Sequence, residues 1–311
     1  MPDANPISSL LPAVVFVNPA AGSGRAESCL PRIRKAFEAA SVPAEFISFG
    51  SAKELESNAL AAIKSGKRLL FGLGGDGTFH GLVNAAYGFD VVVGVLPAGG
   101  GNDFAAALQL PEDPVAAAEA ILRGQPKRVD LARARTGDGR VRLYLGGGGL
   151  GIDAEAARFA SGAFRRLPGR SRYVASALRA FCTHRAIGVT AEFPLTDLAP
   201  IESKCLLAAV LNTPTYGAGI RLAPGARLYD GWLDAVIVED LSAFQVLGIL
   251  PGLLRSGELQ TAHVKRVRAR AVKFITDRPC MFHGDGEILG PTPVEIEIVP
   301  QGVRVLSPSE R

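Results

Sequence analysis

Three glycine-rich segments carry the residues best suited to chemistry in this chain. They read Asn-Pro-Ala-Ala-Gly-Ser-Gly over Asn18–Gly24, Gly-Gly-Asp-Gly-Thr over Gly74–Thr78 and Gly-Gly-Gly-Asn-Asp over Gly99–Asp103. Glycine lets backbone N–H groups approach phosphate oxygens, and a helix that starts just afterwards adds unpaired donors and a positive dipole end. One such cluster is most often only a tight turn, but three in equivalent positions predict a phosphate-binding site.

Each segment follows a predicted strand and precedes a predicted helix. The predicted strands are Ala13–Val17, Ala44–Ser48, Arg68–Leu73 and Val91–Leu96, and the helices are Ala26–Ala39, Lys53–Lys64, Phe79–Tyr87 and one opened by Asn102-Asp103. Apolar strands that alternate with helices predict an α/β nucleotide domain with a parallel sheet covered on both faces. Parallel strands bring their carboxyl ends to one edge of the sheet, where ligands bind.

Beyond about residue 128 strands dominate, joined by Gly, Pro or Asp-Gly turns, which predicts an antiparallel β-rich sandwich. The predicted strands are Val129–Arg135, Val141–Gly146, Gly188–Phe193, Lys204–Asn212, Leu233–Val238, Val264–Ile275 with Ala271–Thr276 inside it, Cys280–His283, Val294–Val299 and Val303–Leu306. We therefore predict two domains, 1–128 and 129–311, and leave open whether a C-terminal segment returns to the first. A cleft between domains is the default ligand site.

Four Asp-Gly dipeptides need separate interpretation, because Asp-Gly is the commonest hairpin signal. Asp138 lies between two alternating strands and is interpreted as a plain turn, whereas Asp76 lies in a strand-to-helix turn. Asp230 is either a turn residue or a cation ligand together with neighbouring backbone carbonyls. Asp285 and Glu287 flank one glycine, and a turn or a general base with a metal ligand remain equally open.

Two familiar nucleotide motifs do not explain the second segment. Gly72–Gly77 fits G-x-G-x-x-G, but that motif also needs an acidic residue at the end of the next strand, which here ends Val95-Leu96-Pro97. The chain contains no G-x-x-x-x-G-K-[ST] sequence either. The sequence therefore disfavours a Rossmann site and a Walker-type site.

Composition limits the function classes. The chain has 311 residues, 48% hydrophobic and 21% charged, with a net charge of +4. These values indicate a folded protein, and the charge is too small to indicate nucleic-acid binding. Four cysteines without a C-x-x-C pair argue against a metal site or disulfide framework. No apolar run approaches the ~20 residues that span a bilayer, since Pro251 and Gly252 interrupt the longest one. We expect a cytoplasmic protein.

The chain resembles the diacylglycerol-kinase-type lipid kinases, especially a bacterial branch related to sphingosine and ceramide kinases. The matching stretches, in family order, are Val17–Gly24, Gly74–Asn84, Leu96–Ala105, Gly149–Ala154, Leu228–Asp234 and Gly284–Glu287. Gly-Gly-Asp-Gly alone is shared with NAD kinases and phosphofructokinase-like enzymes. The resemblance implies a nucleotide domain followed by a β-rich lipid-side domain, with ATP and Mg²⁺ as cofactors and a lipid as acceptor.

The same resemblance implies the site residues. It implies that the nucleotide contacts are Asn18, Pro19, Ala20, Ala21, Gly22, Ser48, Gly74, Gly75, Asp76, Gly77, Thr78, Phe79, His80, Gly100 and Asn102. Asp76 would organise the magnesium–nucleotide complex, and Asp285 and Glu287 would supply the general base and handle magnesium. Asp230 would bind a structural magnesium with the carbonyls of Arg227 and Trp232. One departure is Gly100, which stands where the family usually has a threonine hydroxyl near the phosphates.

A basic stretch predicts peripheral contact with an anionic membrane. Its arginines are Arg165, Arg166, Arg170, Arg172, Arg179 and Arg185, interleaved with Phe164, Leu167, Tyr173, Leu178 and Phe181. This mixture suits an interfacial helix, and a solvated basic face is the competing interpretation. We expect no nucleic-acid partner, and we leave a homodimer open. An NAD kinase or other small-molecule kinase and a catalytically weak nucleotide-binding regulator remain the alternative functions.

Overall fold

The computed structural model describes residues 7–152, 176, 179–180, 185–217, 219–259 and 261–308. The chain divides into two compact units: unit 1 comprises 1–129 and 301–311, and unit 2 comprises 130–300. Among the described residues, no helix combines the length and apolar character needed to cross a membrane.

Unit 1 is an α/β structure with a parallel sheet. Its strands are β1 (Ala13–Val17), β2 (Ala44–Ser48), β3 (Leu69–Gly74) and β4 (Val92–Pro97), and its helices are α1 (Arg25–Ala39), α2 (Ala52–Lys64), α3 (Asp76–Ala86), α4 (Asp103–Ala107) and α5 (Pro114–Ile121). β1 pairs in parallel with β2 and β3, and β4 pairs in parallel with β3. Every residue of β1, β3 and β4 is buried, as expected for strands covered on both faces.

Local sequence signals explain where the covering helices start. Ser51 accepts a hydrogen bond from the Glu54 N–H at 3.2 Å and caps α2. Asp113 accepts one from the Ala116 N–H at 3.0 Å and caps α5, with Pro114 at the first helical position. Buried residues of α1 recur at helical spacing, from Ala26 through Ile33 to Phe37, and form its inner face.

Unit 2 is a β-rich structure with antiparallel pairing. Its elements are β5 (Gln125–Arg135), β6 (Val141–Tyr144), β7 (Gly147–Gly151), β8 (Ile187–Glu192), β9 (Ile201–Leu211), β10 (Leu233–Glu239), α6 (Ala243–Ser256), β11 (Val264–Ala269), β12 (Ala271–Thr276), β13 (Met281–Gly284), β14 (Glu287–Pro291) and β15 (Val294–Ser307). The central strand β9 pairs with β7, β8 and β10. β5 begins in unit 1, and β15 continues into unit 1 from Gln301, where it pairs with β4.

Side chains alternate between two apolar cores along the central strands of unit 2. On β9, Ala208 and Val210 enter one core, whereas Leu207, Ala209 and Leu211 enter the other. The second core is completed by partly buried residues that include Val246 and Ile249 of α6. The predicted fold class is therefore confirmed: a parallel α/β structure is followed by an antiparallel β-rich one.

Several element boundaries differ from the sequence prediction. The helix predicted over Phe79–Tyr87 begins earlier, at Asp76, because Gly75 adopts an extended N-cap conformation and its carbonyl accepts the Thr78 N–H at 2.9 Å. The predicted strand Ala271–Thr276 is confirmed as β12, but the longer segment Val264–Ile275, interpreted as one half-exposed strand, is divided at Arg270 into β11 and β12. The two predicted C-terminal strands are one, β15. Helices α5 and α6 and strand β14 were not predicted.

Strand β7 was also missed, because glycine is usually depleted in strands. Here the glycines are required by close packing: a Cβ at Gly148 would lie 2.6 Å from the Phe282 ring and 2.7 Å from the His283 carbonyl oxygen. The neighbouring strand β13 therefore approaches β7 more closely than a side chain would permit.

Candidate active site

The first loop, Asn18–Gly24, is folded back onto the sheet of unit 1. The Asn18 N–H donates to the Leu73 carbonyl at 2.9 Å, and the Asn18 Oδ1 accepts from the Ala20 N–H at 3.2 Å. Gly22 has φ +59, and a Cβ at this position would collide with the Ala98 carbonyl oxygen. The first loop therefore lies in close contact with the chain that leaves β4, as a shared strand edge predicts.

The second loop, Gly74–Thr78, abuts the third, Gly99–Asp103, through backbone atoms. The Gly74 carbonyl accepts from the Ala98 N–H at 2.7 Å and from the Gly99 N–H at 3.2 Å. A Cβ at Gly99 would lie only 2.5 Å from the Gly75 Cα. Glycine is therefore needed here for a backbone-to-backbone approach, and all three loops meet at the carboxyl ends of β1, β3 and β4.

Asp76 and Asn102 fix the shape of the third loop. The half-buried Asp76 carboxylate accepts from the Asp103 and Phe104 N–H groups, both at 3.3 Å, and so caps the start of α4. Asn102, at φ +58, accepts the Gly99 N–H through Oδ1 and donates to the Gly99 carbonyl through Nδ2, both at 3.0 Å. Both side chains thus have a structural task that the sequence did not reveal.

The remaining predicted nucleotide residues fall into two groups. Exposed or half-exposed positions are Asn18, Pro19, Ala20, Ala21, Gly22, Ser48, Gly75, Gly77 and Gly100. By contrast, Thr78, Phe79 and His80 are only 4%, 0% and 6% exposed. A Cβ at Gly74 would collide with the Thr78 hydroxyl, and that hydroxyl does not cap α3. These three side chains are core residues here, so any contact of Thr78, Phe79 or His80 with a ligand would come from their backbone groups.

Asp285 occupies the tight turn between β13 and β14. Asp285 has φ +49 and Gly286 has φ +85, the positive values that a two-residue hairpin turn requires. The Asp285 Oδ2 accepts from the Leu145 N–H at 2.7 Å, while Oδ1 accepts from Gly146 at 2.9 Å and Gly147 at 3.3 Å. We call this set of three N–H groups on one carboxylate the Asp285 clamp.

Glu287 differs from Asp285 although only Gly286 separates them. It is the first residue of β14, pairs with Gly284 across the hairpin, and its side chain is exposed. The two carboxylates are therefore arranged for different tasks: one is held by backbone donors, and the other faces solvent.

Asp230 has an arginine where a cation was predicted. Its Oδ2 accepts from the Arg268 Nη2 at 2.5 Å, and its Oδ1 accepts from the Trp232 N–H at 3.1 Å. The Arg268 and Arg270 guanidiniums lie 5.7 Å and 5.1 Å from the Trp232 ring centre. Within the part of the chain that the structure describes, no group of three or more His, Cys, Asp and Glu side chains could hold a metal.

Two buried polar residues of unit 2 were missed by sequence reasoning. Asp130 is 2% exposed, and its Oδ2 accepts from the Gly231 N–H at 2.8 Å. Asn212 is 0% exposed and donates to two backbone carbonyls. The only sequence signal was one polar residue within or directly after a buried apolar stretch, Val129–Ala132 for Asp130 and Leu207–Leu211 for Asn212. Nearby, burial raises the pKa of the Asp234 carboxyl, an effect that Arg268 partly offsets.

Comparison with known proteins gives the family. The model named "Diacylglycerol kinase catalytic domain" matches residues 12–134. The model named "YegS C-terminal NAD kinase beta sandwich-like domain" matches residues 148–307, just over half of the chain. The chain belongs to the diacylglycerol-kinase-type lipid kinase family. The resemblance found in the sequence is thereby confirmed, and the chain is a kinase that phosphorylates a hydroxyl group, of the class that acts on lipids.

Individual relatives agree with this family. A diacylglycerol kinase of Mycobacterium tuberculosis (strain ATCC 25618 / H37Rv) is 28% identical, with 83% of each chain covered. One of Bacillus subtilis (strain 168) is 25% identical, covering 96% of this chain and 97% of the relative. A crystal structure from Bacillus anthracis str. Sterne, provisionally named a diacylglycerol kinase, has TM-score 0.77 and 21% identity over 96% of this chain and 97% of that chain. That last similarity shows the fold.

Proposed function

We propose that this lipid kinase transfers the γ-phosphoryl group of ATP, with Mg²⁺, to a hydroxyl of diacylglycerol or a related lipid. The backbone junction of the three glycine loops is the observation that carries the proposal. Such a junction can present N–H donors to a chain of phosphates, without side chains that would keep the phosphates away. The acceptor is supported by the relatives named diacylglycerol kinase.

On the nucleotide side, we call the junction of the loops at Gly22, Gly75 and Gly99 the phosphate cradle. A Cβ at any of these positions would meet the backbone of a neighbouring loop or of Ala98 and force the loops apart. Bound Mg²⁺ would neutralise charge on the phosphate oxygens, and carboxylate oxygens are ligands that it accepts. Asp76 is the carboxylate of the second loop, so it fits this role, in addition to shaping the third loop. Asp230 does not fit a cation while Arg268 is bound to it.

Among the acidic pair, Glu287 is the proposed general base. Its exposed carboxylate can accept the proton of the lipid hydroxyl while the hydroxyl oxygen bonds to the γ-phosphorus and ADP leaves. Both oxygens of Asp285 already accept N–H groups from the clamp, so we assign Asp285 to fixing the turn that carries Glu287. Sequence alone left this choice open.

The test is transfer from radiolabelled ATP to dioleoylglycerol in mixed micelles, beside total lipid extract and NAD as acceptors. We expect label in a lipid product, and Glu287→Gln should lower kcat by about 10²–10⁴-fold. Asp138→Asn is the matched control, because Asp138 also begins an Asp-Gly turn but bonds only locally, to Thr136 and Arg140. Near-normal turnover in Glu287→Gln would refute the assigned base.

The same assay separates the alternative functions. Label in NAD but in no lipid would indicate an NAD kinase. ATP binding without transfer to any acceptor would indicate a nucleotide-binding regulator. Either result would overturn the proposed function, whereas a labelled lipid, identified by mass spectrometry, would name the acceptor.

Lipid access through an anionic membrane surface is part of the proposal. Arg179 and Arg185 are exposed. The other residues of the predicted interfacial stretch lie outside the described residues: Arg165, Arg166, Arg170, Arg172, Phe164, Leu167, Tyr173, Leu178 and Phe181. Co-sedimentation with phosphatidylglycerol vesicles should weaken with salt and with Arg179→Glu/Arg185→Glu. Vesicle binding that neither salt nor the two substitutions change would remove this part of the proposal.

A homodimer also stays a prediction, and sedimentation equilibrium would decide it.

A further inference from the structure

Asn212 is a fully buried side chain that joins separate segments of unit 2. It directly follows β9 and is 0% exposed. Its Nδ2 donates to the Leu145 carbonyl at 2.8 Å and to the Asp130 carbonyl at 2.9 Å. Its backbone N–H donates to the Gly146 carbonyl at 2.7 Å. One residue therefore binds the carbonyls of two consecutive residues, Leu145 and Gly146.

The segment that Asn212 holds is the segment that forms the Asp285 clamp. The N–H groups of Leu145 and Gly146 donate to the Asp285 carboxylate at 2.7 Å and 2.9 Å. Asn212 thus fixes the carbonyl side of the short link between β6 and β7, and Asp285 binds its N–H side. Because peptide groups are planar, fixing a carbonyl restricts where the N–H of the following residue can point.

We propose that Asn212 is a positioning residue for phosphoryl transfer, which acts by aiming the clamp N–H groups at Asp285. The clamp in turn fixes the turn between β13 and β14, on which Glu287 stands. This inference rests on the proposed function, because it gives Asn212 a purpose beyond stabilising unit 2. Asn212 itself touches no reacting group in this account.

The chemistry of the site requires an amide at position 212. The Nδ2 group has two N–H donors, and both are used on carbonyl oxygens. Alanine would leave these two carbonyls without their side-chain donor, and buried carbonyls that lose a donor are costly. Aspartate would keep the shape of the side chain but place a carboxylate oxygen, which can only accept, against the two carbonyl oxygens. The nearest side chains therefore offer no replacement for asparagine.

The experiment combines kinetics with hydrogen exchange on full-length protein. In the lipid-kinase assay, we expect Asn212→Ala to lower kcat by roughly 10–100-fold while KM for ATP stays within about twofold, as for a misplaced reacting group. The control is Ile237→Ala on β10, a core truncation 2% exposed, because Ile237 is paired across the sheet with Ala208 and Lys265, and β10 pairs with β9 and β11 and not with the hairpin strands. It should leave kcat within about twofold at a temperature where both variants are folded.

Asp285→Asn supplies the second half of the test, because it weakens the clamp by removing the charge from the group that accepts the three N–H groups. If Asn212 acts through the clamp, Asn212→Ala should change kcat by less than about twofold in the Asp285→Asn background. An undiminished effect there, or an equal loss of kcat in Ile237→Ala, would overturn the proposal.

Amide exchange gives a readout that does not depend on activity. At matched stability, we expect the Gly146 amide, which shares a peptide group with the Leu145 carbonyl, to exchange faster in Asn212→Ala than in Ile237→Ala. Unchanged exchange would refute the positioning role. If the wild type phosphorylates no lipid, the proposed function fails, and the exchange result still decides whether Asn212 holds the clamp.

Discussion

Gly99→Ala is the most direct test of the phosphate cradle, because the structure gives the size of the collision. The added Cβ would lie 2.5 Å from the Gly75 Cα and 2.9 Å from the Asn102 Oδ1. Carbon atoms in contact stand about 3.5–4.0 Å apart, so the second and third loops would have to separate by roughly 1 Å. Overpacking of this kind costs about 1–3 kcal/mol in the free energy of unfolding.

The larger effect is expected on the nucleotide. A shift of ~1 Å between groups that bind one ligand can cost ~10²-fold in rate. We therefore expect Gly99→Ala to raise KM for ATP at least tenfold and to lower the melting temperature only moderately. Isothermal titration calorimetry with a non-hydrolysable ATP analogue measures the binding, and scanning calorimetry measures the stability.

Gly50→Ala is the matched control in unit 1. The nearest atom to its added Cβ is the Glu54 Oε2 at 3.6 Å, an ordinary contact. KM and melting temperature should stay close to the wild-type values. A Gly99→Ala variant that is destabilised by about 1–3 kcal/mol but binds nucleotide as tightly as Gly50→Ala would refute the phosphate cradle. In that case the loops meet for reasons of packing alone.

Three further predictions follow from single contacts. Gly100→Thr should lower KM for ATP up to about tenfold by one hydrogen bond to a charged phosphate, and Gly100→Val, which lacks the hydroxyl, should not. Arg268→Gln should lower the melting temperature, and adding Mg²⁺ should not change the melting temperature of this variant. A saturable rise with Mg²⁺ would restore Arg227, Asp230 and Trp232 as metal ligands. The Thr136 hydroxyl lowers the pKa of Asp138. The wild type should therefore have a larger free energy of unfolding than Asp138→Asn above pH 3.8. This difference should disappear as the pH falls below 3.8, and unfolding measured along an acid titration tests it.

Much of unit 1 could be predicted, because its sequence signals are local and agree with one another. Buried strands such as Val14–Phe16 are continuously apolar, and caps such as Ser51 stand where the helices begin. The three loops were found because three glycine clusters, each between a strand and a helix, are hard to explain as tight turns alone. The start of α3 was misplaced because Asp76-Gly77 is a turn signal, and tertiary burial overrides that signal.

Unit 2 was less predictable, because its decisive contacts are distant in sequence. Nothing near Asn212 indicates that its amide reaches Leu145, 67 residues away. The glycine-rich strand β7 can be predicted only once it is known that Phe282 packs on Gly148. The ion pair between Asp230 and Arg268 had the same limit, because Arg268 lies 38 residues further along the chain; the cation expected at Asp230 stays a prediction. Sequence patterns report the periodicity of elements, and these contacts depend on which elements become neighbours.

The Asp285-Gly286 pair shows why turn and function were hard to separate from sequence. The dipeptide is a hairpin turn, with positive φ at both residues, so that interpretation is correct. The same geometry brings the Asp285 carboxylate to three N–H groups of the β6–β7 link, which no ordinary hairpin needs. Asp138-Gly139 makes the contrast, since the Asp138 carboxylate bonds only within its own turn. A turn that is also anchored at its tip holds the next residue in place. For that reason the exposed carboxylate of Glu287, and not the clamped one, is the stronger candidate for accepting a proton.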